Sequence, residues 1–113
     1  MAWRMSNEAV AVGDIFKKGS TDEVGHIDIF YKVLEKRGKT IVIICKVDAK
    51  PTGKKKDGGM GIKALKNETV GEPFRVRAYI TDENKAVLCD INSTGYYNTY
   101  WRGATGSRSG YYE

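Results

Sequence analysis

Residues 40–47 read Thr-Ile-Val-Ile-Ile-Cys-Lys-Val and contain the longest uninterrupted apolar run of the chain, five residues. β-Branched residues of this kind favour an extended strand. The preceding segment, 26–35, alternates with a period of two, which is typical of a half-buried strand. One face carries Ile27, Ile29, Tyr31 and Val33, and the other carries Phe30 and Leu34 as apolar exceptions. Because the short connection between the segments contains Gly38, they predict a β-hairpin.

Further strands are predicted on both sides of this hairpin. A short apolar stretch over 10–16 predicts a first strand, and the polar residues 17–25 predict a loop. Segments 74–80 and 86–91 alternate around a polar turn and predict a second hairpin, and a last strand is predicted at 96–101. The second hairpin places Phe74, Val76, Ala78 and Ile80 inward and Arg75, Arg77 and Tyr79 outward.

Six or seven short strands without a convincing amphipathic helix predict an all-β fold, either a small barrel or a strongly bent antiparallel sheet. A helix within 60–69 would change the class to α+β. The length of 113 residues fits one domain. We expect a disordered or cloning-derived N-terminus at 1–9, a single β-rich domain at 10–102 with a basic loop at 48–59, and a flexible Gly/Ser/Tyr tail at 103–113.

The net charge of +5 comes from one segment. Residues 50–66 contain six lysines and one aspartate, whereas the rest of the chain contains 13 basic and 13 acidic groups, which cancel. The positive excess is therefore a local feature, with Lys54, Lys55 and Lys56 at its centre.

Membrane and secretory classes are disfavoured. The longest apolar run is far shorter than the roughly 20 residues that a membrane-spanning helix needs. The first residues contain no apolar segment typical of a secretory signal, which predicts a cytoplasmic protein without a membrane partner. Cys45 and Cys89 are too few for a disulfide scaffold, and we expect two buried, reduced thiols on strands.

Catalytic residue types are scarce. His26 is the only histidine, so zinc sites that need two imidazoles are excluded. A nucleophilic pair of His26 with Cys45 or Cys89 is disfavoured, because a thiol in an apolar strand is usually inert. The Gly-Lys-Thr at 38–40 joins two predicted strands and lacks the earlier glycine of a phosphate loop. The sequence therefore predicts neither an enzyme nor a metal or cofactor site.

Two charged features favour binding. Lys54, Lys55 and Lys56 could neutralise phosphates and give salt-sensitive affinity for a nucleic acid, although a solvated loop has the same composition. Arg75, Arg77 and Tyr79 interleave guanidinium and ring groups that suit phosphate contact and base stacking. The same alternation is also common on the wet face of a sheet.

A third feature is aromatic. Six of the twelve aromatic residues fall in the last 18 positions. Tyr, Trp and Arg are enriched in interface hot spots, because they bury a large area and keep a polar group. Core packing would account for about half of these aromatic residues. The candidate binding residues of this cluster are Tyr97, Trp101, Arg102, Arg108, Tyr111 and Tyr112.

Five short motifs resemble, in the same order, a family of small uncharacterised proteins carried by phages, plasmids and other bacterial mobile elements. The resemblance covers roughly 12–101, and the residues at 17–20 replace an aromatic stretch that the family often carries. It implies no catalytic residues. The motifs are Val12-Gly13-Asp14-Ile15-Phe16, Ile27-Asp28-Ile29-Phe30-Tyr31-Lys32-Val33, Gly38-Lys39-Thr40, Val70-Gly71-Glu72-Pro73-Phe74-Arg75 and Tyr100-Trp101.

The resemblance implies a non-enzymatic mobile-element protein made in a bacterial cytoplasm. Our first hypothesis is an inhibitor of a host defence complex such as a CRISPR nuclease, which occludes the surface of a host protein or ribonucleoprotein. The alternative is a small β domain that binds DNA or RNA through the basic loop and through Arg75, Arg77 and Tyr79. An enzyme using His26 and a cysteine is a residual hypothesis.

Overall fold

The computed structural model describes residues 3–56, 59–91 and 98–109. This part of the chain forms nine strands and no helix. All pairings are antiparallel and belong to one sheet, so the predicted all-β class is confirmed, with more strands than the six or seven expected. The strands are β1 (Arg4–Met5), β2 (Ile15–Asp22), β3 (Gly25–Arg37), β4 (Ile41–Lys56), β5 (Gly59–Thr69), β6 (Phe74–Ile80), β7 (Ala86–Asp90), β8 (Thr99–Arg102) and β9 (Thr105–Arg108).

The sheet closes on itself in two rings of hydrogen-bonded strands that share β3 and β4. The first ring runs β2-β3-β4-β6-β7-β8 and returns to β2. The second ring runs β3-β4-β5-β9 and returns to β3. β1 extends the edge of β6 beyond the point where β4 begins. The long strands β3 and β4 therefore connect two separate interiors.

The predicted hairpins are both present, as β3–β4 and β6–β7. Gly38 lies in the first turn at φ 57°, a conformation that favours glycine. Val76, Ala78 and Ile80 point inward and are at most 7% exposed, as predicted. Phe74 was expected inward as well but is 37% exposed, because it lies at the open end of the ring and packs edge-on against Tyr31.

The first ring encloses the larger core. Its centre contains side chains from every strand of the ring and from the segment before β2. The buried residues are Val10, Phe16, Val33, Val42, Ile44, Val76, Ala78, Ala86, Leu88 and Tyr100. None of them carries a charge.

The second ring encloses a smaller core of Ile15, Phe30, Val47 and Ile62. Adjacent residues of one strand point to opposite faces, so Ile15 and Phe16 enter different cores. The same rule explains Phe30, which was an exception to the pattern predicted for β3. The apolar run of β4 is continuous because that strand is buried on both faces.

The basic loop predicted at 48–59 and the alternative helix at 60–69 are both wrong. β4 continues to Lys56, and Gly59–Thr69 forms β5, which pairs with it. Pro51 is tolerated because, in this part of β4, the described residues pair only on the β5 side. Gly53 lies at φ 80° within a shift of register between Pro51 and Lys55, so a bulge absorbs the irregularity.

Three further segments differ from the expectation. The loop predicted at 17–25 contains most of β2, which β3 pairs along its whole length. The tail expected at 103–113 contains β9, which pairs with β5. The N-terminus, expected to be disordered, contains β1 and then Asn7, whose Nδ2 donates a hydrogen bond to the Ile41 carbonyl at 3.0 Å. Backbone hydrogen bonds also hold these segments, such as the one from the Asn7 amide to the Lys39 carbonyl at 2.8 Å. A hydropathy pattern does not predict such bonds.

Candidate functional site

The outer face of β6 carries three of the predicted binding residues. Arg75, Arg77 and Tyr79 alternate with the inward residues of the strand, as expected. Arg77 lies opposite Cys89 on β7, and Tyr79 lies opposite Val87. The three side chains therefore share the outer surface of the first ring.

Trp101 lies on the same surface because of the register between β7 and β8. It lies opposite Val87, which is itself opposite Tyr79, so one row crosses β6, β7 and β8. Trp3 packs over this row, with its ring centre 6.3 Å from that of Tyr79 and 6.0 Å from that of Trp101. Trp101 remains 47% exposed. We call Trp3, Arg75, Arg77, Tyr79 and Trp101 the aromatic–arginine face.

Trp3 is not among the predicted binding residues, because it lies in the segment that the sequence predicts to be disordered. The sequence of β7 indicates that something covers its outer face. Its four consecutive apolar residues are too many for a strand with one face exposed to solvent. Val87 and Cys89 point outward, yet they are 0% and 7% exposed. The aromatic rings of the aromatic–arginine face therefore cover the outside of β7.

A cavity of about 360 Å³ opens beside these rings and is lined by Trp3, Tyr79, Cys89 and Thr99. Burial raises the pKa of the Cys89 thiol, and the Asp90 charge acts in the same direction against a hydrogen bond with Thr99. The thiol is thus held protonated, which makes it a poor nucleophile. Cys45 is also buried, and both cysteines are free, as predicted.

The arginines of this face have no ion pair within the described residues. Nε of Arg77 is buried and has no hydrogen-bond partner in the same part of the chain. By contrast, Nε of Arg37 on β3 lies 2.5 Å from Glu35 Oε2. A guanidinium without an ion pair, on the same surface as the exposed ring of Trp101, can donate hydrogen bonds to a carboxylate, a phosphate or a carbonyl of a partner.

Arg102 is predicted to bind a partner, but its guanidinium already binds other residues of the same chain. Nη1 donates to Asp14 Oδ2 at 2.6 Å, and Nη2 donates to the Ala9 carbonyl at 2.6 Å. The guanidinium also lies 5.1 Å from the ring centre of Phe16. Arg102 therefore holds the turn before β2 against the first ring.

The remaining basic candidates belong to the second ring. Lys54, Lys55 and Lys56 end β4, and the backbone of Lys55 pairs with Met60, which pairs with Arg108 on β9. The lysines and Arg108 are thus brought to one end of the second ring. The predicted residues Tyr97, Tyr111 and Tyr112 lie outside the described residues.

The first ring contains a buried polar group near its open end. The hydroxyl of Tyr100 donates to Asp90 Oδ1 at 2.7 Å, and Asn98 Nδ2 donates to Asp90 Oδ2 at 2.5 Å. Burial raises the pKa of Tyr100, and the hydrogen bond to Asp90 and its charge add to the effect. Both carboxylate oxygens of Asp90 are therefore engaged in supporting the fold.

His26 does not contact a cysteine. Its Nδ1 lies 2.8 Å from Thr21 Oγ1 and its Nε2 lies 3.1 Å from Asp28 Oδ1, which ties β2 to β3. Within the described ranges, no group of three His, Cys, Asp or Glu side chains is arranged to hold a metal ion. The same ranges contain no helix of the length and hydrophobicity that crossing a membrane requires.

The chain matches no protein-family model, no curated protein and no solved structure at a significant level.

Proposed function

We propose that this chain is a non-enzymatic binding protein of a mobile element, which inhibits a host defence complex such as a CRISPR nuclease by occluding its surface. The aromatic–arginine face carries the proposal, because Trp101 is about half exposed and, on the same face, Nε of Arg77 is buried without a hydrogen-bond partner among the described residues. These residue types dominate protein interfaces when they surround a partly desolvated centre. The resemblance to mobile-element proteins supplies the bacterial cytoplasmic context.

The face has the support that an interface centre needs. Trp101 and Tyr79 project from β8 and β6, which both pair with β7, and Trp3 packs against both aromatic rings. These three aromatic side chains have few rotations left to lose when a partner binds, which limits the entropic cost of association. In this proposal the first ring is a small barrel that acts as a rigid base for the face.

An assay of plasmid establishment in bacterial cells that contain a CRISPR nuclease tests this function. A plasmid carrying the target sequence is introduced into cells that express the protein together with one of several nuclease classes. The wild-type protein should restore plasmid establishment against at least one class. Arg77→Ala and Trp101→Ala should each lose at least ~10-fold of the effect, as hot-spot truncations of about 1.4 kcal/mol or more do.

Lys66→Ala is the matched control, because Lys66 is an exposed residue of β5, on the second ring and outside the aromatic–arginine face. It should inhibit as the wild type does. Two results contradict the proposal: an inhibitory wild-type protein whose activity survives both face substitutions, or a wild-type protein that leaves every nuclease class in the panel fully active.

The position of the lysines favours a second candidate function, binding of a nucleic acid by a small β domain. Lys50 and Lys63 are exposed and directly opposite each other on β4 and β5. Like charges in this position repel, and an anion between them would relieve the repulsion. The phosphate backbone of DNA or RNA supplies a row of such anions.

Titration of labelled single-stranded and duplex DNA at increasing salt tests the second candidate. Affinity should fall steeply with salt, and Lys50→Glu/Lys63→Glu should reduce it by at least ~10-fold, since two phosphate contacts are lost and reversed in charge. Trp101→Ala should change it little. A flat salt response, or no binding at low salt, contradicts nucleic-acid binding by the β4–β5 strands and leaves the first proposal unaffected.

A further inference from the structure

A cavity of about 400 Å³ opens into the second ring. It lies where β3 and β4 separate, beyond the paired residues Phe30 and Val47. From there β3 approaches β9 through Ile27, whereas β4 continues beside β5. Phe30, Val47 and Ile62 line the cavity and are at most 2% exposed. Small-ligand sites in proteins have volumes of about 300–1,000 Å³ and mostly apolar walls.

Arg108 brings a positive charge to the lining of this cavity. It lies two residues after Gly106, which pairs with the buried Ile62, so strand alternation directs Arg108 to the interior side of β9. Its Nη2 approaches Met60 Sδ at 3.7 Å, and a thioether sulfur is only a weak acceptor. Its Nε is buried and has no hydrogen-bond partner in the described residues.

The carboxylates of the lining do not satisfy this guanidinium. Asp28 Oδ1 lies 3.1 Å from His26 Nε2, and Asp28 Oδ2 accepts a hydrogen bond from the Ser107 amide at 2.8 Å. Asp48 is exposed at the cavity, and no ion pair joins it to Arg108 in the described ranges. A buried donor without an acceptor is unfavourable, and a bound anion would remove this cost.

The surroundings favour an anionic ligand. Lys46 also lines the cavity, and the strands beside it carry Lys50 and Lys63. Lys46 and Arg108 balance Asp28 and Asp48 within the lining, so the positive excess comes from the exposed Lys50 and Lys63 nearby, which raise the local concentration of anions. The walls deeper in the cavity are hydrocarbon, so they favour a ligand whose remaining part is apolar.

We propose that the second ring binds a small organic anion, a carboxylate or phosphate monoester with an apolar body. Its anionic group pairs with Arg108, and its apolar part packs against Phe30, Val47 and Ile62. The site is independent of the proposed inhibition, because it uses different strands from those that carry the aromatic–arginine face.

Benzoate and phenyl phosphate are suitable probes, with benzamide as the neutral analogue of benzoate and inorganic phosphate as the analogue without an apolar body. Nuclear magnetic resonance of the arginine Nε–Hε groups measures binding in the full chain. Both organic anions should shift the Arg108 signal saturably. Benzamide and inorganic phosphate should bind at least ~10-fold more weakly, because each lacks one of the two interactions.

Arg108→Gln should weaken benzoate binding by at least ~10-fold, measured from the backbone amides of the lining, because a charge-assisted pair is lost. Arg37→Gln is the control, since Arg37 is exposed and paired with Glu35 on β3. Its affinity for benzoate should equal that of the wild type. Arg108→Lys serves to assign the Arg108 signal and should bind with intermediate affinity.

Several results overturn the proposal. They are an Arg108 signal that no organic anion moves, benzamide binding as tightly as benzoate, and unchanged affinity in Arg108→Gln. Inorganic phosphate binding as tightly as phenyl phosphate would remove the apolar part of the site and contradict it too. If Arg108→Gln does not fold, the Arg108 signal of the wild-type protein decides the question alone.

Discussion

The two rings share β3 and β4 but enclose different interiors. The first contains ten buried residues without a charge. The second contains four, supplemented by Ala49, Ala64 and Ala104, and it leaves a cavity of about 400 Å³ beside Arg108. Because the shared strands are already fixed by the first core, the second ring can tolerate empty space and a guanidinium whose Nε has no partner among the described residues. The first interior therefore supplies stability, and the second has room for a ligand.

The largest expected effect compares one substitution in each core. Leu88→Ala should lower the free energy of unfolding by about 2–5 kcal/mol, because Leu88 is fully buried and a cavity replaces its side chain. Ile62→Ala should lie at the lower end of that range, since Ile62 already borders a cavity and loses fewer packing contacts. Urea unfolding followed by circular dichroism measures both. A greater loss for Ile62→Ala would reverse the assignment of the stabilising core.

The next effect concerns the second ring alone. A Cβ at Gly106 would collide with the carboxylate of Asp28, which the Ser107 amide holds at 2.8 Å. Gly106→Ala should lower the free energy of unfolding by about 1–3 kcal/mol, the usual cost of overpacking. Gly103→Ala is the matched control, because the nearest atoms to its Cβ would be methylene carbons of Lys17 at 3.1 Å or more, which have room to shift slightly. Equal losses for the two variants would mean that Asp28 is free to move aside.

The strands that the hydropathy pattern predicts belong mostly to the first ring. Residues 74–80 and 86–91 alternate or are continuously apolar, and β6 and β7 form there. In contrast, β2 contains Lys17, Lys18, Ser20 and Asp22, and β9 consists of Thr-Gly-Ser-Arg. These strands are held by backbone pairing to β3 and β5, which no local pattern encodes.

The candidate site shows the same limit. Alternation correctly directs Arg75, Arg77 and Tyr79 to one face, but the approach of Trp3 and Trp101 depends on strand order and register. From composition alone, Arg102 and Arg108 are both predicted to bind a partner. Only the fold shows that Arg102 already has partners and that Arg108 Nε has none in the described residues.

Alkaline pH should weaken the first ring. Burial raises the pKa of Tyr31 and, together with the hydrogen bond to Asp90 and its charge, that of Tyr100. For an acid whose pKa is higher in the folded state, the stabilisation is complete below the unfolded pKa and is lost as pH rises above it. The raised pKa of Cys89 acts in the same way from a lower unfolded value, so the free energy of unfolding should begin to fall above about pH 9 and fall further above about pH 10, by at most about 1.4 kcal/mol per pH unit for each group.

Tyr100→Phe separates the contribution of Tyr100 to the alkaline loss of stability from that of the other titrating groups. It should lower the free energy of unfolding near neutral pH by about 1 kcal/mol, because the hydrogen bond to Asp90 is lost. It should also make the alkaline decline shallower than in the wild type, since one titrating group is removed. Ile62→Ala removes no such group and should retain the wild-type slope. Urea unfolding over a series of pH values measures these slopes, and an unchanged slope in Tyr100→Phe would exclude Tyr100 as the source.

The smallest expected effect compares Arg102 on the first ring with Arg108 in the second. Arg102→Gln should lower the free energy of unfolding by only about 1 kcal/mol, because its pair with Asp14 is partly exposed and screened by solvent. Arg108→Gln should change it by less than about 0.5 kcal/mol, since no strong acceptor among the described residues is lost. Thermal and urea unfolding, with no anion added, measure the difference. If Arg108→Gln costs as much as Arg102→Gln, the guanidinium of Arg108 supports the fold, and the functional contrast between the two rings fails.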